Sequence, residues 1–77
     1  MRRVTLYGRP GCHLCDDAQA VLDRVGEPYD TVDIESDDDL LRRYLERIPV
    51  VTVDGREAFE FFVEESTLRR LLHERSE

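Results

Sequence analysis

Lysine is missing from this 77-residue chain, and its eleven basic residues are all arginine. That bias is one of genome composition and carries no functional reading. Positive charge as a whole is scarce: eleven basic residues face 18 acidic ones, for a formal net charge of -7. A chain so acidic has no broad positive surface to neutralise phosphates, so non-specific binding to nucleic acid or to an anionic membrane is disfavoured. Long apolar runs are absent too. No stretch approaches the ~20 residues of a membrane span, and the amino terminus lacks the apolar core of a secretory signal, so a cytoplasmic protein is expected. Cysteine is used twice, at positions 12 and 15, whereas small secreted scaffolds spread four or more along the chain. This usage points to redox or metal chemistry rather than to stapling. The length itself excludes a multi-layer enzyme, because a chain this short buries only about 60% of the surface its unfolded form exposes.

What is present is a single clustered core. Apolar residues make up 40% of the chain and charged residues 38%, and the hydrophobes are grouped rather than diluted, which argues against disorder. Residues 1–77 are read as one domain without linker, repeat or low-complexity segment. Arg2 to Tyr7 is a β-prone run closed by the turn residues Gly8, Arg9, Pro10 and Gly11. From His13 to Val25, Leu14, Ala18, Val21, Leu22 and Val25 keep one helical face dry, and Gly26 and Pro28 stop the helix. Tyr29 to Ile34 predicts a second strand, parallel to the first through a right-handed crossover.

In the second half, Ser36 is the expected N-cap of a helix with Asp37, Asp38 and Asp39 in its first turn, where the macrodipole favours negative charge. Leu40, Leu41, Tyr44 and Leu45 follow at helical spacing, with Arg42, Arg43 and Arg47 toward the end and Pro49 beyond it. Val50 to Val53, the Asp54-Gly55 turn and Glu57 to Val63 predict a hairpin, with Phe59 and Phe61 on one face and used as core. A last helix begins at Ser66 or a neighbouring acid and carries Leu68, Leu71 and Leu72, before final residues too polar to pack. The order β-α-β-α-β-β-α predicts an α/β fold with a mixed four-stranded sheet and three helices on its two faces.

Cys12, His13, Leu14 and Cys15 stand where the first loop becomes the first helix. Residues three apart in the first helical turn lie on one side, close enough for a disulfide to form and reopen. The helix amino terminus favours thiolate at Cys12, making it the expected nucleophile. Cys15, one turn deeper, suits attack on a mixed disulfide formed at Cys12. His13, if protonated, and Arg9, from the loop, would add positive charge beside Cys12; Asp16 and Asp17 act against ionisation of Cys15. Leu14 supplies an apolar rim. Tyr7 is expected to pack beneath the dithiol with its hydroxyl near the cleft, and Tyr44 to serve helix packing.

Tyr7-Gly8-Arg9-Pro10-Gly11-Cys12-His13-Leu14-Cys15 resembles the active-site segment of glutaredoxins and small glutaredoxin-like proteins of the thioredoxin superfamily. The resemblance extends over nearly the whole chain, since that family has the element order derived above. It implies a thioredoxin-like, glutaredoxin-type fold and thiol–disulfide exchange through Cys12 and Cys15. It also implies a cis bond between Ile48 and Pro49, with the Ile48 backbone pairing with the bound substrate, and a role for Arg9 in meeting the glycyl carboxylate of glutathione. Two departures bear on glutathione. Arg47-Ile48 precedes Pro49 where glutathione-using members have Thr-Val, and Arg56 to Val63 occupies the segment of their Gly-Gly pair. Glu64 and Glu65 fall where the last helix begins and would repel the γ-glutamyl carboxylate. The expectation is a monomeric oxidoreductase acting on disulfide-containing proteins or glutathionylated thiols. It binds no cofactor, uses glutathione weakly as co-substrate, and is reopened by an external thiol reductant, a protein being favoured over glutathione. A second class of function uses the same thiolates without turnover, as a metal or iron–sulfur carrier spanning two chains. A one-chain zinc site is disfavoured, because His13 is wedged between the cysteines and His73 lies in the remote last helix.

Overall fold

A computed structural model describes residues 3–73. Arg2, expected in the first strand, and the polar residues 74–77 lie outside the described residues. The elements are β1 (Val4–Gly8), α1 (His13–Val25), β2 (Tyr29–Asp33), α2 (Asp38–Tyr44), β3 (Val50–Val53), β4 (Arg56–Glu60) and α3 (Glu65–His73), with a short 3₁₀ turn at Ile34–Ser36 before α2. The four strands form one mixed sheet in the order β2-β1-β3-β4. β1 runs parallel to β2 and antiparallel to β3, and β3 runs antiparallel to β4.

Strand alternation divides the core in two. Val4 and Leu6 of β1 and Val51 and Val53 of β3 pack with Ala18 and Leu22 of α1 and Leu68 of α3. On the other face Val50 joins Ile34 and Tyr44, with Tyr7, Leu40, Leu41 and Ile48 against them. Leu68 is fully buried, which is worth about 2–3 kcal/mol.

Helix ends follow local chemistry. Gly26 adopts φ 84° and donates its N–H to Leu22 O, closing α1 as the sequence predicts. The cap of α2 is Asp37 rather than Ser36: Asp37 Oδ1 accepts from the N–H groups of Asp39 and Leu40, while the Ser36 hydroxyl donates to Asp33 O within the 3₁₀ turn. A carboxylate accepting two amide N–H groups satisfies more of the helix's orphan donors than one hydroxyl. At the hairpin, Asp54 and Gly55 both have positive φ, the type I′ geometry that matches strand twist.

The returning strand is shorter than its sequence suggests. β4 ends at Glu60 instead of Val63, because Phe61 turns to φ 66° and breaks the alternation. Phe59 still packs against the core. Phe61 and Phe62, by contrast, are 40% and 70% exposed, so the expectation that Phe61 shares a buried face with Phe59 is corrected. The register between β3 and β4 also slips between Val51 and Thr52, leaving Ala58 without a residue opposite it.

Candidate active site

β1 carries the chain to the site, and its last residue decides what can stand above it. Val4, Leu6 and Gly8 share the face covered by α1. A Cβ added to Gly8 would lie 2.8 Å from Cys15 Sγ and 3.3 Å from Cys15 Cβ. Glycine is therefore what lets α1 settle with Cys15 directly on the end of the strand. The sequence assigns Gly8 to the turn; its contact with a residue seven positions on has no local signature.

Gly11, at φ 78°, turns the loop into the helix. Cys12 is the N-cap of α1 in an extended conformation, and its Sγ accepts the N–H of Cys15 at 3.2 Å. The carbonyl of Cys12 accepts the N–H of Asp16 at 3.0 Å, the first bond of the helix. A cysteine sulfur thus occupies the position where Ser or Asp usually meets the orphan amides, which are donors suited to a thiolate. Both cysteines are free; Cys12 is half-buried and Cys15 buried. Burial, and after it a hydrogen bond with Cys12, pushes the Cys15 thiol up to about 11, against the opposing effect of a backbone hydrogen bond from Arg9.

The remaining sequence-predicted residues divide into those brought to the dithiol and those carried elsewhere. His13 and Leu14 lie in the first turn of α1, exposed and half-buried respectively. The Ile48–Pro49 bond is cis. Tyr7 pairs with Val50, and one further step in that register sets Pro49 beside Gly8. Gly8 pairs on its other side with Asp33, and Pro49 O accepts the N–H of Phe61 at 2.9 Å. Asp33, Gly8, Pro49 and Phe61 therefore form a row across the end of the sheet that carries the dithiol. Tyr7 belongs to the opposite face. Its ring lies 4.9 Å from that of Tyr44, tilted by 32°, which corrects the expectation that it packs beneath Cys12 and Cys15. Arg9 makes an ion pair with Glu35 at 3.5 Å.

Arg47 emerges as an organiser that the sequence did not reveal. It lies beyond the end of α2, its Nε bonds Glu60 at 2.7 Å, it bridges Glu57 as well, and its guanidinium stands 5.4 Å from the centroid of the Tyr44 ring. The partners are ten and thirteen positions away, beyond any helical spacing. The clamp ties the segment entering Ile48 and Pro49 to β4. Glu65, expected to present a free carboxylate, is bound by Arg24 and Arg69 and held below its ordinary carboxylate range, chiefly by Arg69. Glu64 receives the hydroxyl of Thr67. Repulsion from Glu65 is thereby offset, and the carboxylate of Glu64 carries the acidic character of this corner.

A hollow of about 260 Å³ opens on the β2 side of Cys15, between Gly8, Pro10, Asp16, Thr31 and Asp33. Pro49 lies across β1 from it, so the hollow and the cis-proline flank the dithiol from opposite sides. Among the described residues, no cluster of three or more His, Cys, Asp or Glu side chains is placed to hold a metal ion.

This sheet order, with a Cys-x-x-Cys pair opening α1 and a cis-proline opening β3, defines a thioredoxin-fold protein of the dithiol class. The chain belongs to the glutaredoxin-like domain family (DUF836), whose pattern matches residues 3–73. An X-ray structure of a protein from X. campestris is 35% identical, with a TM-score of 0.79 over 90% of this chain and 93% of that one. A solution structure from Nitrosomonas europaea is 26% identical, with a TM-score of 0.78 over 91% of this chain and 89% of that one. The glutaredoxin from Archaeoglobus fulgidus, 19% identical at a TM-score of 0.69 over 96% of this chain and 89% of that one, shares the fold. No curated protein matches the chain. The family and the cysteine pair support a redox role of thioredoxin type.

Proposed function

We propose that the protein is a thiol–disulfide oxidoreductase that reduces polypeptide disulfides through Cys12 and Cys15. The observation that carries this reading is the asymmetry of the pair: the more accessible sulfur caps a helix and accepts an amide, while its neighbour is buried on Gly8 with a raised pKa. The Cys12 thiolate attacks one sulfur of a substrate disulfide, forming a mixed disulfide and releasing the other substrate sulfur as thiolate. Cys15 then gives up its proton and attacks Cys12 Sγ. The mixed disulfide breaks, the second substrate thiolate leaves, and two electrons have passed to the substrate. The Cys12–Cys15 disulfide returns to the dithiol at the expense of an external thiol reductant.

Two observations favour a polypeptide over glutathione. The cation of Arg9 is shared with Glu35, and Phe61-Phe62 fills the segment where the resemblance implies a Gly-Gly pair. Insulin reduction supported by dithiothreitol tests the reading beside metal analysis of protein purified without added metal. Turnover by the wild type, lost in Cys12→Ser, is expected; stoichiometric metal without turnover would replace the oxidoreductase with a carrier.

A further inference from the structure

Two consecutive phenylalanines stand in the open at the end of β4, and neither joins an apolar core cluster among the described residues. Phe62 is 70% exposed and Phe61 40%, although a residue of this size is normally among the first to be buried. Phe61 is also held at φ 66°, in the left-handed region that a bulky side chain enters only when its surroundings enforce it. The tight turn is closed across it by the Phe62 N–H, which donates to Glu60 O at 2.6 Å, while the N–H of Phe61 itself donates to Pro49 O. That bond fixes Phe61 in the row that runs through Pro49 and Gly8 to the sulfur of Cys15. The apolar pair is therefore built into the frame of the dithiol.

We propose that Phe61 and Phe62 form a specificity element that docks an apolar side chain of a basic polypeptide substrate, a short distance along the chain from the cysteine under attack. The inference rests on the oxidoreductase reading and names its substrate class. Gly8 and Phe61 are separated by two strand spacings, about 10 Å, which an extended polypeptide spans in roughly three residues. Charge selects the flanking residues. Of the four glutamates between Glu57 and Glu65, three are paired with arginines from elsewhere in the fold, Glu57 and Glu60 with Arg47 and Glu65 with Arg24 and Arg69; Glu64 is met by a hydroxyl instead, and the chain as a whole carries -7. A substrate with arginine or lysine beside its apolar residue meets a complementary field, and an acidic one is repelled. Glutathione is anionic and extends a single residue to either side of its cysteine, less than the roughly three residues that span this distance.

The test compares three disulfides reduced by the same protein: a peptide with leucine three residues from its cysteine and lysines alongside, a counterpart with serine and glutamates at those positions, and 2-hydroxyethyl disulfide, which reads the dithiol chemistry alone. The wild type is expected to favour the apolar, basic peptide over its counterpart by about tenfold or more in kcat/KM. In Phe61→Gly/Phe62→Ser the ratio should fall several-fold, glycine being compatible with the backbone at position 61. Fluorescence anisotropy of the first peptide with serine replacing its cysteine isolates docking from exchange, and should weaken in parallel. Equal rates for the two peptides, or a ratio and anisotropy unchanged in the double variant, would overturn the proposal. So would a concentration-dependent dimer that the variant abolishes, since the patch would then serve a second copy of the chain. Loss of all three reductions with docking retained would instead sink the oxidoreductase reading.

Discussion

Cys15 meets Gly8 so closely that the two positions behave as one, and this coupling is measurable. Gly8→Ala places a methyl group 2.8 Å from Cys15 Sγ, an overpacking expected to cost about 1–3 kcal/mol. In a Cys15→Ala background the sulfur is gone and the same substitution should cost much less. A double-mutant cycle by denaturant unfolding gives the difference; additivity would show that Gly8 is not there to seat the sulfur. Cys12 and Cys15 themselves differ in access, and burial opposes ionisation of Cys15. Because the Cys15 thiol is pushed from 9.0 to about 11, its alkylation should keep accelerating beyond pH 9, and at pH 7 iodoacetamide should label Cys12 first. Faster labelling of Cys15 at pH 7 would reverse the assignment of nucleophile. At this scale the sequence was legible wherever a residue acts through its near neighbours, as Cys12 does at a helix mouth. It was silent on the partners of Gly8 and Arg47 and put Tyr7 on the wrong face, because those contacts depend on which strands end up side by side.

Elements tell the same story through their ends. α1 was readable from start to stop because its cysteine cap, apolar stripe and closing glycine are all local signals. β4 was not, since alternation in Glu57 to Val63 continues past the point where the Phe62 N–H folds back onto Glu60 O and turns the chain at Phe61. That turn has no trace in the spacing of hydrophobes. The start of α3 falls at Glu65, the acid beside Ser66 that the sequence allows, and Arg24 of α1 holds it there. Glu65 has a folded pKa below its ordinary 4.5, through Arg69 first and Arg24 second. Its contribution to stability is accordingly present above pH 4.5 and fades as the pH falls through the lower folded value. Thermal unfolding of wild type and Glu65→Gln should differ at pH 7 and draw together as the pH is taken well below 4.5. A gap that is unchanged by acid would mean that the ion pairs do not support the helix.

For the whole molecule, the fold was legible because a strand–helix–strand start and a strong hairpin leave few ways to close four strands into one sheet. What the closed sheet adds is a set of juxtapositions: the row of Asp33, Gly8, Pro49 and Phe61, the clamp of Arg47 on β4, and two apolar clusters that hold α1 and α2 on opposite faces. Together they place a half-buried sulfur at a helix mouth with a buried partner behind it. The proposed exchange requires that these two sulfurs act in sequence. Reduced Cys15→Ser protein mixed with a polypeptide disulfide should accumulate a covalent adduct, mapped to Cys12 by mass spectrometry, whereas the wild type should pass through it to the Cys12–Cys15 disulfide and free reduced substrate. An adduct that persists in the wild type, or one that forms at Cys15 in Cys12→Ser as readily as at Cys12, would contradict it.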